Sequence, residues 1–257
     1  MSLKRSASDD NRKQKQMTSD RETVAESSGN ATAMESSRRK FIQMAVGGTA
    51  GLAAGVELIA PRRVLAQSSL SADAALKELM DGNERFRGGK LTACSHDLDI
   101  LKQKTVDKQE PFAAVLSCAD SRVPIELIFD QSIGHVFVTR IAGNIATSEI
   151  IASLEYGAGV LGTKVILVIG HSGCGAVKAT MQGKEVPGQI SALFPHIRRA
   201  VDEAGGSLET ATKANAKIQA AQLRQGSTLI GGMAKEGKLK VVAAYYDVGT
   251  GAVSLLE

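Results

Sequence analysis

The chain has 257 residues, 43% of them hydrophobic and 23% charged, with 26 glycines, which suits one globular domain and excludes a collagen, a coiled coil or a fully disordered chain. The formal net charge of +4 lies entirely in residues 1–66, because residues 67–257 carry as many acidic as basic side chains. A neutral body without clusters of Lys and Arg cannot neutralise the phosphates of a nucleic acid, so nucleic-acid binding is excluded as a function class.

The first 66 residues have the order of an export signal. Residues 1–36 are polar, with almost no large apolar side chains, and cannot bury enough surface to order themselves. A basic stretch, Arg38–Lys40, then precedes an apolar run rich in Gly and Ala over residues 44–60. A membrane-spanning helix is the alternative interpretation, but the glycines of this run and Glu57 leave it weakly hydrophobic. We therefore predict a signal peptide.

The predicted signal ends in small residues at Ala66, where we expect cleavage, so that residues 67–257 form the mature domain. The paired arginines Arg38 and Arg39 resemble the twin-arginine signal, which is read by an export machinery that passes folded proteins. The expected destination is the bacterial periplasm. A leader that stays uncut and anchors the chain to the membrane is the alternative.

The body of the chain alternates helical and strand patterns. Ser71 can cap an entry helix whose apolar residues recur at helical spacing from Ala74 to Phe86. Short runs rich in Val, Ile and Phe predict buried parallel strands at Ala113–Ser117, His135–Thr139 and Lys164–Ile169. Further helices are predicted at Glu149–Leu161, Ala176–Gln182, Ile190–Ala204 and Leu208–Leu223. A closing hairpin is predicted from Leu239–Val248 and Ala252–Leu256.

This alternation predicts an α/β fold, with a small, mostly parallel sheet flanked by helices and with ligand sites at the carboxyl ends of its strands. Two polar segments follow predicted strands at that edge. The first is Cys118–Arg122 and the second is Gly170–Gly175. Three cysteines are too few, and of the wrong parity, for a disulfide framework, so each thiol is buried, reactive or a metal ligand.

A metal site uses the unusual residues of both segments. His171 and Cys174, with two residues between them, can bind one ion from a single turn at a helix start, and Cys118 at the end of a neighbouring strand supplies a third ligand. Thiolate and imidazole ligands favour zinc over magnesium or calcium, which prefer oxygen. Three protein ligands leave the fourth position of a catalytic zinc open for water or substrate.

Two other chemistries compete for these residues. Gly170–Gly175 nearly spells the G-x-S-x-G turn of serine hydrolases around Ser172, but Cys174 stands at the last glycine position. That family also needs an acid and then a His downstream, and here the only later His is His196, with Glu185 as the only acid between them. Cys118 and Cys174 could instead form a redox pair, although no C-x-x-C motif supports that reading. Cys94 lacks comparable neighbours and is interpreted as structural or incidental.

Asp120 and Arg122 follow Cys118 at alternating positions. Two thiolates cancel the charge of Zn²⁺ and weaken it as a Lewis acid, so another group must help to ionise a bound water. A carboxylate can accept a hydrogen bond from that water, and an arginine in a two-pronged pair keeps the carboxylate ionised and oriented. The same carboxylate could instead bind the zinc and occupy the open position. An ordinary surface ion pair is the remaining alternative.

The two segments resemble the signature of the β-class carbonic anhydrases, C-x-D-x-R followed further along the chain by H-x-x-C. This sequence has Cys118-Ala119-Asp120-Ser121-Arg122 and His171-Ser172-Gly173-Cys174. The likeness covers essentially all of residues 71–257, including Gly82–Phe86 and Gly237–Tyr246. The resemblance implies reversible hydration of CO₂ to bicarbonate and a proton, and a sheet that carries a fifth, antiparallel strand.

The resemblance also implies a ligand set and residue roles. It places one zinc ion per chain on Cys118, His171 and Cys174, with Asp120 and Arg122 as the catalytic dyad and Asp120 as a fourth ligand in a closed, inactive form. Gln109 matches a residue that contacts substrate from the neighbouring subunit in some members. The expected assembly is a homodimer or a multiple of dimers, with sites at the dimer interface.

Some features depart from the family pattern or leave alternatives open. Ile141 stands where the family often has Asn, and the chain has no Trp, so the Trp-containing inhibitory bicarbonate site of some members is absent in that form. The candidates by type for proton transfer to buffer are His96, His135 and His196. A non-catalytic relative that binds zinc and bicarbonate, and a hydrolase of carbon disulfide or carbonyl sulfide, remain as alternative functions.

Overall fold

A computed structural model of the protein describes residues 68–93 and 108–257. The predicted signal with its arginine pair and its cleavage point, as well as Cys94 and His96, lie outside the described residues. Within the two described ranges, no helix is both long enough and apolar enough to cross a membrane.

A five-stranded sheet forms the centre of the fold. Its strands are Ala113–Ser117 (β1), Val136–Arg140 (β2), Val165–His171 (β3), Lys240–Tyr246 (β4) and Val253–Leu256 (β5). The strand order is β2-β1-β3-β4-β5. The first four strands pair in parallel, and β5 pairs antiparallel to β4. The predicted α/β fold, with a mostly parallel sheet and an added antiparallel strand, is confirmed.

Helices flank this sheet on both faces. They are Ala72–Arg87 (α1), Ile125–Ile128 (α2), Ser148–Gly159 (α3), Gly175–Gln182 (α4), Phe194–Asp202 (α5), Leu208–Gly226 (α6) and Thr228–Lys235 (α7). The cap predicted at Ser71 is present, because its hydroxyl accepts a hydrogen bond from the Ala74 amide at 3.1 Å. The helix predicted from Ile190 begins as a 3-10 turn, Ile190–Leu193, before α5.

Among the residues that the structure describes, the sequence patterns did not predict two helices, α2 and α7. The first is a single turn, too short to show a period. The second contains Gly231 and Gly232, which normally weaken a helix. Gly231 is required by close approach, because a Cβ atom there would lie 2.4 Å from the carbonyl oxygen of Arg224 in α6. Ser227 compensates by capping α7 with a 3.0 Å hydrogen bond from the Ile230 amide.

The core has two layers because side chains alternate across a strand and both faces of this sheet are covered. Val115, Leu167 and Ile169 pack with Leu79 of α1 and Phe129 on one face. On the opposite face, residues of α3, α6 and α7 cover Ala114, Leu116, Ile166 and Val168. All residues of β1 and β3 are buried, which explains their continuous apolar runs.

The register of β1 and β3 fixes where polar side chains meet. Ser117 at the end of β1 pairs with Ile169 of β3. Cys118 therefore leaves β1 beside the last residues of β3, Gly170 and His171. His171 is the final residue of β3 rather than part of the following loop, since the strand runs two residues further than predicted. Both predicted polar segments consequently reach the same edge of the sheet.

Candidate metal centre

Three ligand-type side chains converge at the carboxyl edge of the sheet. Cys118 follows β1, His171 ends β3, and Cys174 lies at the N-cap position of α4. One ligand atom from each lies within 4.8 Å of the other two. His171 and Cys174 are fully buried and Cys118 nearly so. Two sulfurs and an imidazole at this separation match the donor set of zinc sites.

The backbone carbonyl of the next residue, Ser172, orients the imidazole of His171. Its Nδ1 lies 3.1 Å from the carbonyl oxygen of Ser172, which fixes Nδ1 as the protonated nitrogen because a carbonyl only accepts. Its Nε2 is buried and has no hydrogen-bond partner among the described residues. An unpaired buried nitrogen with an available lone pair is costly unless a ligand fills the gap. The residues present therefore fit a metal cation.

The two thiols behave as one coupled acid. Cys118 Sγ accepts a 3.3 Å hydrogen bond from the Gly143 amide. Hydrogen bonding from Cys174 lowers the pKa of Cys118, whereas the hydrogen bond to Cys118 and burial raise the pKa of Cys174. A metal ligand must be a thiolate, so a cation bound here would displace any proton on these sulfurs, and metal binding depends on pH.

Asp120 is held beside this cluster by Arg122. Arg122 donates from Nε to Asp120 Oδ1 at 2.9 Å and from Nη2 to Oδ2 at 2.7 Å, and its backbone amide also donates to Oδ1. These side-chain bonds hold the pKa of Asp120 well below its usual range. Asp120 Oδ2 lies 3.9 Å from His171 Nε2. The carboxylate is therefore ionised, clamped, and adjacent to the nitrogen that would face a cation.

Two supporting residues were not assigned from the sequence. Arg140, at the end of β2, donates from its guanidinium to the backbone carbonyls of Cys118 and Asp120. Gly143, in the loop after β2, supplies the amide that reaches Cys118. The available signal was topological, since β2 lies beside β1 and its carboxyl end must come to the same edge. No side-chain chemistry marks a glycine amide as a donor.

Ser172 does not have the surroundings of a nucleophile. Its Oγ accepts a 2.9 Å hydrogen bond from the Val248 amide, and its own amide donates to the Tyr246 carbonyl. The neighbouring His171 directs Nδ1 at the Ser172 carbonyl oxygen rather than at the hydroxyl. Ser172 therefore joins the loop after β3 to the β4–β5 hairpin, which favours the metal interpretation over the serine-hydrolase interpretation.

The remaining candidates lie elsewhere. Gln109 is exposed in the segment that precedes the amino end of β1, whereas Cys118 follows the carboxyl end of that strand. Its assignment to a neighbouring subunit's site stays a prediction. His135 is exposed at the amino end of β2, where it packs against Phe112. The length of β2, about 16 Å, separates it from the carboxyl edge of the sheet, where the cluster lies. His196 is exposed in α5.

Comparisons with known proteins agree with this geometry. The family model described as carbonic anhydrase matches residues 113–253. A carbonic anhydrase of Mycolicibacterium smegmatis is 34% identical over 71% of this chain and 92% of its own length. Carbonic anhydrase 2 of Mycobacterium tuberculosis is 32% identical over 72% of this chain and 92% of its own. The solved Coccomyxa β-carbonic anhydrase is 26% identical, with a TM-score of 0.54 over 70% of this chain and 86% of that chain.

Proposed function

The chain belongs to the β-carbonic anhydrase family, and on that premise we propose that it catalyses the reversible hydration of CO₂ to bicarbonate and a proton at a zinc ion. Cys118, His171 and Cys174 would hold the ion. The observation that carries this proposal is the buried, unpartnered Nε2 of His171 in a cluster with two buried thiols. When bound, zinc supplies the Lewis acidity that makes water nucleophilic near neutral pH.

Asp120 and Arg122 contribute the orienting chemistry. Asp120 Oδ2, next to His171 Nε2, is the atom placed to accept a hydrogen bond from the attacking water and to direct its lone pair towards CO₂. Arg122 donates hydrogen bonds to both carboxylate oxygens of Asp120. Asp120 therefore stays ionised and faces the guanidinium instead of entering the cluster. Arg140 holds the backbone on either side of this carboxylate. The dyad thus needs no movement to work.

The surroundings of the sulfurs strengthen these interactions. The two thiols pack with Ile145, Val177 and Ile197 in a buried apolar cluster. Water is excluded from this side of the site, so hydrogen bonds to the thiolates act in a low dielectric. The exposed guanidinium of Arg122 marks the opposite side, which is open to solvent. Substrate would enter from that side.

Stopped-flow CO₂ hydration, with zinc measured on the same sample, tests the proposal. We expect one zinc per chain and fast hydration above neutral pH, and loss of hydration with retained zinc in Asp120→Asn. Zinc binding without hydration would instead support a non-catalytic relative. Carbon disulfide and carbonyl sulfide would then be assayed, because turnover of either compound would show that it, and not CO₂, is the substrate.

We also propose that the chain is exported with zinc already bound. The support is the sequence order of residues 1–66, with Arg38 and Arg39 before an apolar run. A thiol pair that is ligated before export escapes oxidation in the periplasm. Cell fractionation of the full chain tests this, with Arg38→Lys/Arg39→Lys as the variant. The variant should accumulate in the cytoplasm, and an unchanged distribution would contradict the proposed route.

A homodimer, or a multiple of dimers, is proposed as the assembly, with Gln109 serving the partner's site. Mixed oligomers of Gln109→Ala and Asp120→Asn chains test this directly. If Gln109 acts across the interface, one site in a mixed dimer combines a native dyad with a native Gln109, and activity returns above that of either parent. Purely additive activities would mean that Gln109 does not serve the partner's site.

A further inference from the structure

A buried chain of two amide side chains connects α6 to the metal cluster. Asn215 donates from Nδ2 to the carbonyl oxygen of Gly143 at 2.8 Å, and Gly143 in turn donates its amide to Cys118 Sγ. Gln219 donates from Nε2 to Asn215 Oδ1 at 3.1 Å. Its Oε1 accepts from the Ala146 amide at 2.8 Å. Asn215 and Gln219, here called the amide pair, are both buried.

The loop that the amide pair holds has an unfavourable backbone. Gly143 has φ 78° and Asn144 has φ 44°, so two consecutive residues lie in the left-handed region. Asn144 carries a Cβ atom, so this backbone costs more there than at a glycine, and Asn is one of the few other residues that adopt it readily. A Cβ atom on Gly143 would lie 2.7 Å from Ile197 Cδ1, so the loop is also tightly packed. Such a conformation persists only where surrounding contacts determine it, and the amide pair supplies those contacts at Gly143 and Ala146.

We propose that Asn215 and Gln219 are positioning residues that set the Gly143 N–H···Sγ hydrogen bond and thereby moderate how strongly Cys118 donates electrons to the zinc. The inference rests on the proposed function. Two thiolates make zinc a weak Lewis acid, and a hydrogen bond to one sulfur withdraws electron density from it. Outer hydrogen bonds of this kind tune metal ligands in proteins, and their loss typically changes metal affinity or activity by about 10- to 100-fold.

The position of the amide pair suits this role better than a purely structural one. Asn215 bonds to the carbonyl of the same residue whose amide reaches the sulfur, so it restrains Gly143 directly. Gln219 fixes Asn215 and also donates to the His196 carbonyl, which ties the loop to α5. Loss of Asn215 should therefore have a larger effect on Cys118 than loss of Gln219.

The test uses the full chain loaded with Co²⁺, whose thiolate charge-transfer absorption reports electron donation by sulfur. Asn215→Leu should move that absorption to lower energy, because a sulfur without its hydrogen bond is the stronger donor. Loss of the bond to the Gly143 carbonyl also frees the loop beside Cys118, so zinc binding should weaken by about 10-fold or more. The midpoint of the pH dependence of kcat/KM should move upward, because a stronger sulfur donor makes the zinc a weaker Lewis acid. Gln219→Met should show the same changes to a smaller extent.

Thr212→Val is the matched control. Thr212 is buried one turn earlier in α6, and its hydroxyl donates to the Leu208 carbonyl. The control should lose stability without moving the cobalt absorption. An unchanged absorption and pH midpoint in both amide variants would overturn the inference, and Gln219→Met keeps the test in force if Asn215→Leu does not fold. A wild-type chain that binds no Co²⁺ or Zn²⁺ would instead overturn the proposed function.

Discussion

Two buried ionisable side chains, Asp130 and His171, differ in whether all their polar atoms have hydrogen-bond partners. The Asp130 carboxylate is fully buried and accepts hydrogen bonds from Arg85 Nε, the Thr92 amide and hydroxyl, and the Ala93 amide. His171 is equally buried, yet one of its nitrogens has no partner within the described ranges. The fully hydrogen-bonded Asp130 carboxylate holds structure together, whereas an unpartnered imidazole nitrogen that lies beside two buried thiols fits a bound cation.

The two sites also differ in what their donors connect. Arg85 belongs to α1, and Thr92 and Ala93 belong to the segment that follows it, so Asp130 joins α1 and that segment to the turn after α2. The cluster around His171 is built from the ends of β1 and β3 and from the N-cap of α4, with Asp120 nearby. Changes at Asp130 should therefore reduce stability, and changes in the cluster should reduce metal binding and turnover.

The largest effect is expected from Cys174→Ser. The binding free energy of a structural zinc site, about 10–16 kcal/mol, corresponds to about 3–4 kcal/mol for each of four ligands, so zinc affinity should fall by about 10² to 10³. Hydration should disappear with the metal. Zinc content by mass spectrometry of the native protein and stopped-flow hydration measure both. Cys94→Ser is the control, since it removes the remaining thiol and should leave zinc content unchanged.

Arg122→Gln should lower hydration by about 10- to 100-fold while the zinc remains. The variant removes both side-chain bonds that turn Asp120 towards the guanidinium, and the freed carboxylate lies close enough to the cluster to enter it. Turnover and zinc content on the same preparation check this. Arg122→Lys keeps the charge but cannot donate in two-pronged geometry, so it should restore little activity. Full activity in Arg122→Gln would reduce the pair to a surface contact.

Asp130→Asn should lower the free energy of unfolding at neutral pH by about 2 kcal/mol without changing zinc content. Burial opposes ionisation of Asp130, but the bonds from Arg85 and from the Thr92 and Ala93 amides outweigh it and lower the pKa to about 2. This value lies below the unfolded value of about 3.9. The contribution is therefore complete above about pH 4 and is lost as the pH falls through about 2.

Urea unfolding of wild type and Asp130→Asn across this acidic range measures the effect. The two curves of stability against pH should converge as the pH approaches 2. Asp81→Asn is the matched control, because Asp81 is half-exposed and pairs with Lys77 on the surface of α1, where such pairs add little. Parallel curves for wild type and Asp130→Asn would mean that ionisation of Asp130 does not stabilise the fold.

The same contrast explains what the sequence could predict. The positions of Cys118 and His171 followed from strands of continuous apolar character, and parallel pairing then required their ends to meet. The Ser71 cap followed from local chemistry. The Asp130 contacts join residues 37 to 45 positions apart and carry no periodic signature. The Gly143 amide and helix α7 were likewise missed, because both depend on close backbone approach rather than on side-chain type.

The smallest effect is expected from Ser172→Ala. Ser172 is next to His171, whose Nε2 has no hydrogen-bond partner among the described residues. The Ser172 hydroxyl resembles Asp130 in being occupied, since it accepts from the Val248 amide at 2.9 Å. Its loss leaves that amide unpaired, and stability should fall by about 1 kcal/mol. Zinc content and CO₂ hydration should stay at the wild-type level. Retained zinc with abolished hydration would mean that the hydroxyl takes part in the reaction. A residue near the cluster could then be catalytic even though its side chain already has a hydrogen-bond partner.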